Sequence, residues 1–309
     1  MSLKTSGIHH ITAIVNDPQV NVDFYSNVLG LRLVKKTVNF DRPEVYHLYF
    51  GNESGHPGTI ITFFPWPKLP KGRIGTGQVG TTSYAIPVGS MDFWKNRLRE
   101  QGISFTSDVR FNETYIEFED PDGLKLEMVE REEGPENSWS TKGIPSKYAI
   151  KGFGGAILNS KQPNQTVDIL ENVLGMEFIA QENNYLRFQT QGSLGNRIDM
   201  KLSPSVRGLA GAGTIHHIAW RAKDDEEHSK WRELLEKKGY KPTEIKERHY
   251  FKAIYFYEPG GILFEIATDP PGFAVDEEPE KLGEELMLPS WLEAKRKKFE
   301  KTLPSIREE

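Results

Sequence analysis

The sequence predicts an α+β protein made of four βαβββ modules that combine into two domains of the same fold. Three observations lead to this prediction. A segment that reads as a strand, a helix of about three turns and then several strands recurs four times along the chain. Residues 106–131 align without a gap with residues 244–269, at a constant offset of 138 residues. The length of 309 residues also exceeds the usual size of a single domain.

Each module begins with a strand and ends with an apolar strand. The opening strands have the sequences GIHHITAIV, TTSYAIPVG, GFGGAILNS and TIHHIAWRA. The tail after the fourth module mixes both charges with a few apolar residues, which is typical of a helix docked on the protein surface; a lid over a site entrance is the alternative. The predicted modules cover residues 1–66, 79–132, 150–203 and 213–269, and residues 270–309 form the helical tail.

A helix follows the opening strand in each of the first three modules. We expect these helices at residues 19–30, 90–102 and 165–175; the first and third end at the glycine of a shared VLG motif, where glycine is a suitable C-terminal cap. In modules two and four, the motifs DPDG and EPGG precede the last strand and predict hairpin turns. The pattern therefore changes from helical to strand periodicity inside every module.

Two segments rich in proline and glycine read as linkers. Residues 65–80 contain a G-x-G-x-x-G motif at Gly75, Gly77 and Gly80. A dinucleotide-binding fingerprint requires a strand before this motif and a helix after it, whereas here a proline-rich loop precedes and a strand follows. We therefore reject a nucleotide site. Residues 132–147 separate modules two and three and form the natural boundary between domains.

Composition limits the classes of function. With 37% hydrophobic and 27% charged residues, and no apolar run near the ~20 residues of a membrane helix, the chain is predicted to be soluble and globular. The absence of cysteine excludes disulfides and thiolate ligands, and the N-terminus lacks a signal-peptide pattern, so we expect a cytoplasmic protein. A net charge of -5 without a basic stripe gives no footprint for nucleic acid. Small-molecule chemistry is the expectation that remains.

Four of the eight histidines form two adjacent pairs, His9–His10 and His216–His217, and each pair begins the opening strand of a module. Because successive side chains of a strand point to opposite faces, one histidine of each pair faces a given cavity. The other histidine could reach the site from the strand end or orient its neighbour. A single histidine is more often structural than a ligand, but two pairs at equivalent positions favour a metal site.

Glu265 is the third candidate ligand. It is the one acid in GILFEIA, a strand that otherwise reads as buried. Burying an unpaired carboxylate is costly, so this residue either faces solvent on an edge strand or binds a cation. Two neutral imidazoles and one carboxylate would form a facial triad that leaves positions for a substrate and O2 on a six-coordinate iron.

These motifs resemble a known family. The segments GIHHITAIVNDPQVNVDFYSNVLGLRLVKKTVNFD, VYHLYFGNESGHPGTIITFFPWP, GTIHHIAWRA and GILFEIATDPPGF are similar to the hydroquinone ring-cleaving dioxygenases of the vicinal-oxygen-chelate superfamily, which also contains glyoxalases and bleomycin-resistance proteins. The resemblance covers essentially the whole chain and implies the glyoxalase-like fold. It implies His10, His217 and Glu265 as ligands of Fe(II), with Mn(II) as the alternative metal; His216, Tyr255 and Arg248 as catalytic residues; and His9 and Thr12 as substrate-binding residues.

Tyr255 and Arg248 can also be judged without the family. If EPGG closes a hairpin through a three-residue loop with a bulge, Tyr255 falls on the same face as Glu265. Arg248 lies on the preceding segment and could stabilise a phenolate or the anion that develops during ring opening. A core-edge tyrosine and a solvated arginine are the equally favoured alternatives.

The position of the ligands predicts how the modules pair. Modules one and four must meet at the metal, and modules two and three then form the other half. Arg110 and Glu127 align with their counterparts in module four at the common offset, which favours duplication of a module over coincidence. Module two has Ser83 where His217 aligns, and module three opens with glycines instead of histidines. This second half is therefore predicted to hold no metal.

The resemblance implies an enzyme that opens the ring of a substituted 1,4-dihydroxybenzene with O2 and needs no organic cofactor. Its partners would be the small aromatic substrate and O2, with neither nucleic acid nor a membrane; the sequence leaves open whether it forms a homo-oligomer. A metal-dependent isomerase or lyase of the glyoxalase type is the alternative among enzymes. A resistance protein that binds an aromatic compound without turnover is the alternative outside them.

Overall fold

Two curled β-sheets of eight strands each form the body of the protein. The computed structural model describes residues 3–141, 143–203 and 206–307. Over these residues, the predicted α+β fold with two domains is confirmed. No helix in the described ranges has the length and apolar character needed to cross a membrane.

The first sheet combines modules one and four, the two that are furthest apart in the sequence, as predicted. Their opening strands pair antiparallel at the centre of the sheet. In spatial order, the strands are β14 (Lys246–Glu247), β15 (Lys252–Tyr257), β16 (Leu263–Thr268), β13 (Thr214–Ala222), β1 (Ile8–Val15), β4 (Ile60–Pro65), β3 (Arg42–Gly51) and β2 (Arg32–Asn39).

The second sheet combines modules two and three in the same way, again with the two opening strands antiparallel at the centre. One hydrophobic core extends through both halves of the molecule. In spatial order, the strands are β10 (Glu177–Glu182), β11 (Tyr185–Gln189), β12 (Arg197–Lys201), β9 (Gly152–Asn159), β5 (Gln78–Ile86), β8 (Lys125–Glu130), β7 (Glu113–Glu119) and β6 (Phe105–Arg110).

The helices are short and pack their apolar sides on the sheets. Trp94 of the second helix and Trp231 of the fourth are fully buried. The first helix becomes a π-helix over Asp23–Val28, where the sequence predicted a continuous α-helix; its apolar spacing did not reveal this change of hydrogen bonding. The helices are α1 (Pro18–Val22), α2 (Met91–Glu100), α3 (Pro163–Asn172), α4 (Asp225–Lys237), α5 (Ser290–Glu293) and α6 (Arg296–Thr302).

The tail is not the single helix that its charge pattern suggested. Its prolines interrupt helical hydrogen bonding, and it contains only 3-10 turns at Phe273–Val275 and Pro279–Lys281 before α5 and α6. An ion-pair cluster fixes it to the first sheet. Lys35 of β2, whose side chain is fully buried, donates to Asp276 Oδ1 at 2.6 Å and also to Glu277. The tail is thus a packed strap along modules one and four.

The two hairpins related by the offset of 138 residues have the same register. Glu117 pairs with Glu127 between β7 and β8, and Tyr255 pairs with Glu265 between β15 and β16. The glycine that ends each turn has a positive φ, 92° in the first hairpin and 90° in the second, a conformation that glycine adopts without strain. Tyr255 and Glu265 therefore share one face of the sheet, as predicted.

The linker at residues 65–80 pairs with the segment that connects modules three and four. Single β-bridges join Lys71 to Ala212 and Arg73 to Leu209. Gly80 lies inside β5, and a strand continues after it. The glycine motif therefore lacks the helix that a dinucleotide fingerprint requires.

A buried network of charges fills the second sheet. Arg110 donates from Nη1 and Nη2 to the two oxygens of Glu127, at 3.0 and 2.7 Å, and from Nε to Asp199 at 2.8 Å. Arg187 donates to both oxygens of Asp199, at 2.7 and 2.8 Å. All four side chains are buried. Every carboxylate oxygen of this pair of acids thus has a guanidinium partner.

Arg110→Met is expected to lower the free energy of unfolding by about 3–5 kcal/mol, because Glu127 and Asp199 would remain buried with an ionic partner missing. Urea titration followed by circular dichroism measures this loss. Lys230→Ala is the control: it breaks an exposed ion pair with Glu226 and should leave the unfolding curve unchanged within error. A loss below about 1 kcal/mol in Arg110→Met would contradict this role of the network.

Candidate metal centre

Three side chains from the two ends of the chain converge on one face of the first sheet. Glu265, Ala219 and His10 are direct neighbours on the adjacent strands β16, β13 and β1. His217 precedes Ala219 by two residues, so it points to the same face. Since adjacent strands lie about 4.8 Å apart, the second histidine of each pair reaches the carboxylate.

The ligand atoms of these residues lie close together. His10 Nε2 is 3.2 Å from His217 Nε2 and 3.3 Å from Glu265 Oε2. His217 Nε2 is 2.8 Å from the same carboxylate oxygen. All three residues are buried, and no other His, Cys, Asp or Glu group in the part of the chain that the structure describes has this arrangement. Such separations suit ligands that share one ion at bond lengths near ~2 Å.

The hydrogen bonding of Glu265 tests whether the residues fit a metal. Its side chain is fully buried, yet neither of its oxygens accepts a hydrogen bond. Burial alone would raise the pKa of this carboxyl, but the neighbouring His10 and His217 outweigh burial and hold its pKa well below the usual value. A buried ionised carboxylate without hydrogen-bond donors lacks compensation. A cation bound by these three side chains would supply it, so the residues fit a metal ion.

The first histidine of each pair orients the second. His9 Nε2 lies 3.1 Å from the carbonyl oxygen of Thr268, and His9 Nδ1 lies 3.0 Å from His10 Nδ1. Burial, and then His10, lower the pKa of His9 well below its usual value, so its ring is neutral and carries one proton. Since Nε2 must use that proton in a hydrogen bond to the carbonyl, His9 Nδ1 accepts a hydrogen bond from the Nδ1–H of His10. His10 Nε2 is then left with a lone pair toward the ion.

His216 has the same relation to His217. Their Nδ1 atoms lie 2.8 Å apart. Burial lowers the pKa of His217, so this imidazole is also neutral and available as a ligand. The ring of His216 is exposed toward the cavity, and the surrounding protein together with His217 lowers its pKa as well. Since His216 Nδ1 accepts the hydrogen bond from His217, a neutral His216 carries its proton on Nε2 and can donate it to a molecule in the cavity.

In the duplicated half, the equivalent carboxylate, Glu127, has a guanidinium partner. Arg110 neutralises Glu127 there, whereas Arg248, the residue aligned with Arg110, makes no hydrogen bond to Glu265. Glu265 is therefore left without a guanidinium in the half that carries the histidines. The contrast between the two halves supports a cation site in the first sheet.

The second sheet has no imidazoles at the corresponding positions. Ser83 is the strand neighbour of the carboxylate in that sheet, the place that Ala219 has in the first. The alignment of Ser83 with His217, predicted from the sequence, is therefore wrong. The sequence does not reveal the strand register, in which Ser83 corresponds to Ala219. Gly155, opposite Ser83, occupies the place of His10.

A cavity of about 430 Å³ adjoins His10 and His217. Half of the residues in its wall are aromatic or aliphatic and half are polar or charged, a combination that suits a small aromatic molecule with polar substituents. The cavity is lined by His10, Ile14, Asn39, Phe40, Asp41, Arg42, His47, Tyr49, Phe64, Trp66, Leu69, His216, His217, Arg248, Phe251 and Tyr255.

Arg248 and Tyr255 form one polar part of this wall. Arg248 Nε donates to Tyr255 Oη at 3.2 Å, and Arg248 Nη2 donates to Asp41 at 2.9 Å. The ring of Tyr255 packs edge-on against His217, with 5.7 Å between the ring centroids. Burial and Glu265 raise the pKa of Tyr255, so its hydroxyl keeps its proton. The pair presents a fixed positive charge and a hydroxyl close to the ligands.

The structure brings six of the eight predicted site residues to the metal group and the cavity, and places His9 and Thr12 behind the wall. Thr12 is fully buried, and its Oγ1 lies 2.8 Å from Thr62 Oγ1. The expected contact of these two residues with a substrate stays a prediction. Their observed contacts connect them to the cavity only through neighbours.

Sequence reasoning missed several cavity residues, among them His47 and Tyr49. A signal existed, because the two residues alternate in VYHLYFG and so share one face of a strand. Without the order of strands in the sheet, nothing indicated that this face meets the histidine pairs. The register between β3, β4 and β1 supplies that information.

Known proteins of this fold match the whole chain. The model of the glyoxalase/bleomycin resistance protein/dioxygenase superfamily matches residues 7–128 and 152–266. A Bacillus subtilis protein named as a ring-cleaving dioxygenase, MhqO, is 57% identical over 303 residues, which cover 98% of this chain and 97% of that protein. The chlorohydroquinone/hydroquinone 1,2-dioxygenase of Sphingobium indicum is 34% identical over 312 residues, 97% of this chain and 96% of that enzyme.

Solved structures agree with these relatives. A crystal structure described as that of a dioxygenase from Bacillus subtilis superposes with a TM-score of 0.98 at 56% identity and covers 99% of both chains. Glyoxalase I from Zea mays has a TM-score of 0.63 at 14% identity, over 85% of this chain and 92% of that one, and so shares the fold. The chain therefore belongs to the glyoxalase/bleomycin resistance protein/dioxygenase superfamily, and groups with its ring-cleaving dioxygenases.

Proposed function

We propose that this protein is an Fe(II)-dependent dioxygenase that cleaves the ring of hydroquinones with O2. The observation that carries the proposal is the buried Glu265, which lacks hydrogen bonds and lies beside the imidazoles of His10 and His217 at the wall of an aromatic-lined cavity. The printed names of the relatives support the reaction and the substrate class, since one of them acts on chlorohydroquinone and hydroquinone.

His10, His217 and Glu265 would hold the metal. Iron bound by this triad supplies open coordination positions at which an aromatic substrate and O2 can be activated together. The nitrogen and oxygen ligand set also accepts Mn(II), which remains the alternative in the cell. His9 and His216 keep the outer nitrogens of the ligating rings hydrogen-bonded and so fix their orientation.

The remaining polar residues would act on the substrate. Arg248 stabilises the negative charge of a phenolate and of the anion that develops as the ring opens. The hydroxyl of Tyr255 donates a hydrogen bond to the oxygen that lies nearest the metal, because this residue is the strand neighbour of Glu265. His216, neutral and open to the cavity, donates a hydrogen bond from Nε2 to a negatively charged oxygen of the substrate. The apolar walls exclude bulk water around the ring.

The decisive experiment is anaerobic reconstitution with Fe(II), followed by oxygen-electrode assays across hydroquinones and catechols. Stoichiometric oxygen consumption and a ring-opened product would support the proposal. Turnover of a substrate other than a hydroquinone, with no consumption of oxygen, would instead indicate a glyoxalase-type isomerase or lyase. Tight binding of an aromatic compound by metal-free protein, without turnover, would indicate a sequestering protein.

Each of the variants His10→Ala, His217→Ala and Glu265→Ala is expected to abolish stoichiometric metal binding, because each removes one of three protein ligands. Metal content after reconstitution and desalting, measured by mass spectrometry, checks this. Glu127→Ala is the matched control, since it alters the equivalent carboxylate of the duplicated half and should leave the iron content unchanged. Full iron occupancy in any one of the three ligand variants would refute the assignment.

We expect a higher kcat/KM for alkyl- or halo-hydroquinones than for catechols, because a site built to hydrogen-bond a particular hydroxyl rejects analogues that leave its partners unpaired. In Tyr255→Phe and Arg248→Leu, turnover should fall about 10-fold or more while iron stays bound, since neither residue is a ligand. Stopped-flow oxygen uptake with matched hydroquinone and catechol pairs provides the measurement. A preference for catechol that both variants leave unchanged would contradict the proposed substrate class and both roles.

A further inference from the structure

The cavity has a second polar wall, formed by His47 and Tyr49 of β3. We propose that Tyr49 is a specificity-determining residue that recognises the second hydroxyl of a 1,4-dihydroxybenzene, and that His47, Thr62 and Thr12 position it. This inference rests on the proposed function, since it concerns the ring oxygen that the metal would not bind.

The strand register aligns this wall with the metal group. Tyr49 pairs with Thr62 across β3 and β4, Thr62 pairs with Thr12 across β4 and β1, and Thr12 pairs with His217 across β1 and β13. The four residues form one row across the sheet, and cross-strand neighbours point to the same face. His47 lies two residues before Tyr49 and shares that face. The row therefore runs from His217 to Tyr49 in the cavity wall.

Hydrogen bonds join these side chains into a chain. Tyr49 Oη lies 2.8 Å from His47 Nδ1, and His47 Nε2 lies 2.8 Å from Thr62 Oγ1. Thr62 Oγ1 in turn lies 2.8 Å from Thr12 Oγ1. His47 is also held between aromatic rings, with centroid distances of 4.0 Å to Tyr49 and 4.5 Å to Phe64. The imidazole is thus fixed in place by contacts on both nitrogens and on its faces.

Burial sets the protonation states of the two cavity groups. It lowers the pKa of His47 well below its usual value, with His10 and His217 acting in the same direction, so the ring is neutral. It raises the pKa of Tyr49 well above its usual value, so the hydroxyl keeps its proton. A neutral imidazole has one N–H donor and one acceptor nitrogen. Of the two partners of His47, one must therefore donate and the other accept.

This constraint gives the hydroxyl of Tyr49 two possible hydrogen-bonding states. If its hydroxyl donates to His47 Nδ1, the phenol oxygen can accept a hydrogen bond from a substrate hydroxyl. If His47 donates through Nδ1, the hydroxyl of Tyr49 is free to donate to a substrate oxygen. The hydroxyls of Thr62 and Thr12 can rotate to suit either tautomer without a change of charge. Tyr49 can thus satisfy a ring hydroxyl both as an acceptor and as a donor.

In the strand order, the two polar walls are carried by strands on opposite sides of β16, β13 and β1. Tyr255 is the strand neighbour of Glu265 on β15, whereas Tyr49 is reached from His217 by crossing β1 and β4. Because the sheet is curled, both tyrosines nevertheless pack in one cluster. A ring held by one oxygen near Tyr255 can therefore direct a para hydroxyl, which points away from the first one, to Tyr49, and an ortho hydroxyl points elsewhere. Tyr49 accordingly favours hydroquinones over catechols.

The test compares two ligands of similar size, hydroquinone and 4-methylphenol, in which a methyl group replaces the second hydroxyl. Their Kd values are measured anaerobically with Fe(II)-loaded protein from the quenching of tryptophan fluorescence, because Trp66 lines the cavity. In Tyr49→Phe, the affinity for hydroquinone should fall about three- to tenfold, the effect of one lost neutral hydrogen bond. The affinity for 4-methylphenol should stay within about twofold of the wild-type value.

Three further variants separate recognition from structure. Tyr255→Phe is the matched control, since it faces the oxygen that both ligands share and should weaken both to the same extent. His47→Asn keeps an amide at the place of Nδ1 and should retain the preference for hydroquinone. His47→Gln keeps an amide at the place of Nε2 but not of Nδ1, and should lose the preference for hydroquinone. This variant also tests the proposal if Tyr49→Phe does not fold.

A wild-type preference for hydroquinone that persists in Tyr49→Phe and in His47→Gln overturns the role of Tyr49, even when the wild-type protein cleaves hydroquinone with O2. An absence of oxygen uptake by the wild-type protein overturns the proposed function, and this inference with it. Loss of the preference in Tyr49→Phe and His47→Gln, with its retention in His47→Asn, supports both roles.

Discussion

Glu265 imposes the constraint on which the rest of this structure depends. An ionised carboxylate is buried beside a cavity where no hydrogen bond reaches it, and such a group is costly unless a positive charge compensates it. The duplicated half meets the same demand with a guanidinium, since Arg110 donates to both oxygens of Glu127. In the first sheet, His217 and His10 lie on β13 and β1, the next two strands on one side of the carboxylate, and a bound cation would take the role of the arginine.

This solution requires both ends of the chain. The central strands of the first sheet, β1 and β13, belong to modules one and four, so the site forms only when the first and last modules pair. The tail follows β16 and reinforces this pairing from outside. Its Phe273 packs against Tyr49, with 5.0 Å between ring centroids, and Lys35 of β2 binds Asp276 and Glu277. The tail therefore supports the strand that carries the second polar wall.

The sequence predicted what depends on periodicity and repetition. The alternation of strand side chains singled out His10, a lone acid in an apolar strand singled out Glu265, and the hairpin expected at EPGG predicted that Tyr255 shares the face of Glu265. What it could not predict depends on register and on contacts between distant segments. The correspondence of Ser83 and the cavity role of His47 follow from strand pairings that no local pattern encodes. The apolar spacing of the first helix did not reveal its π-helical turn, and the prolines of the tail outweighed its helical charge pattern.

The ion pair between Arg248 and Asp41 explains why the equivalent arginines of the two halves have different partners. One binds the buried glutamate, and the other lines the cavity. Arg248 could neutralise Glu265 as its counterpart neutralises Glu127, but Asp41, in the turn between β2 and β3, and the hydroxyl of Tyr255 hold it at the cavity wall. In the second half, the acid near the corresponding turn, Glu182, accepts the backbone N–H of Phe111 instead. Arg110 is then free to bind the buried carboxylates. An acidic side chain on a neighbouring hairpin thus determines whether the arginine closes the site or lines it.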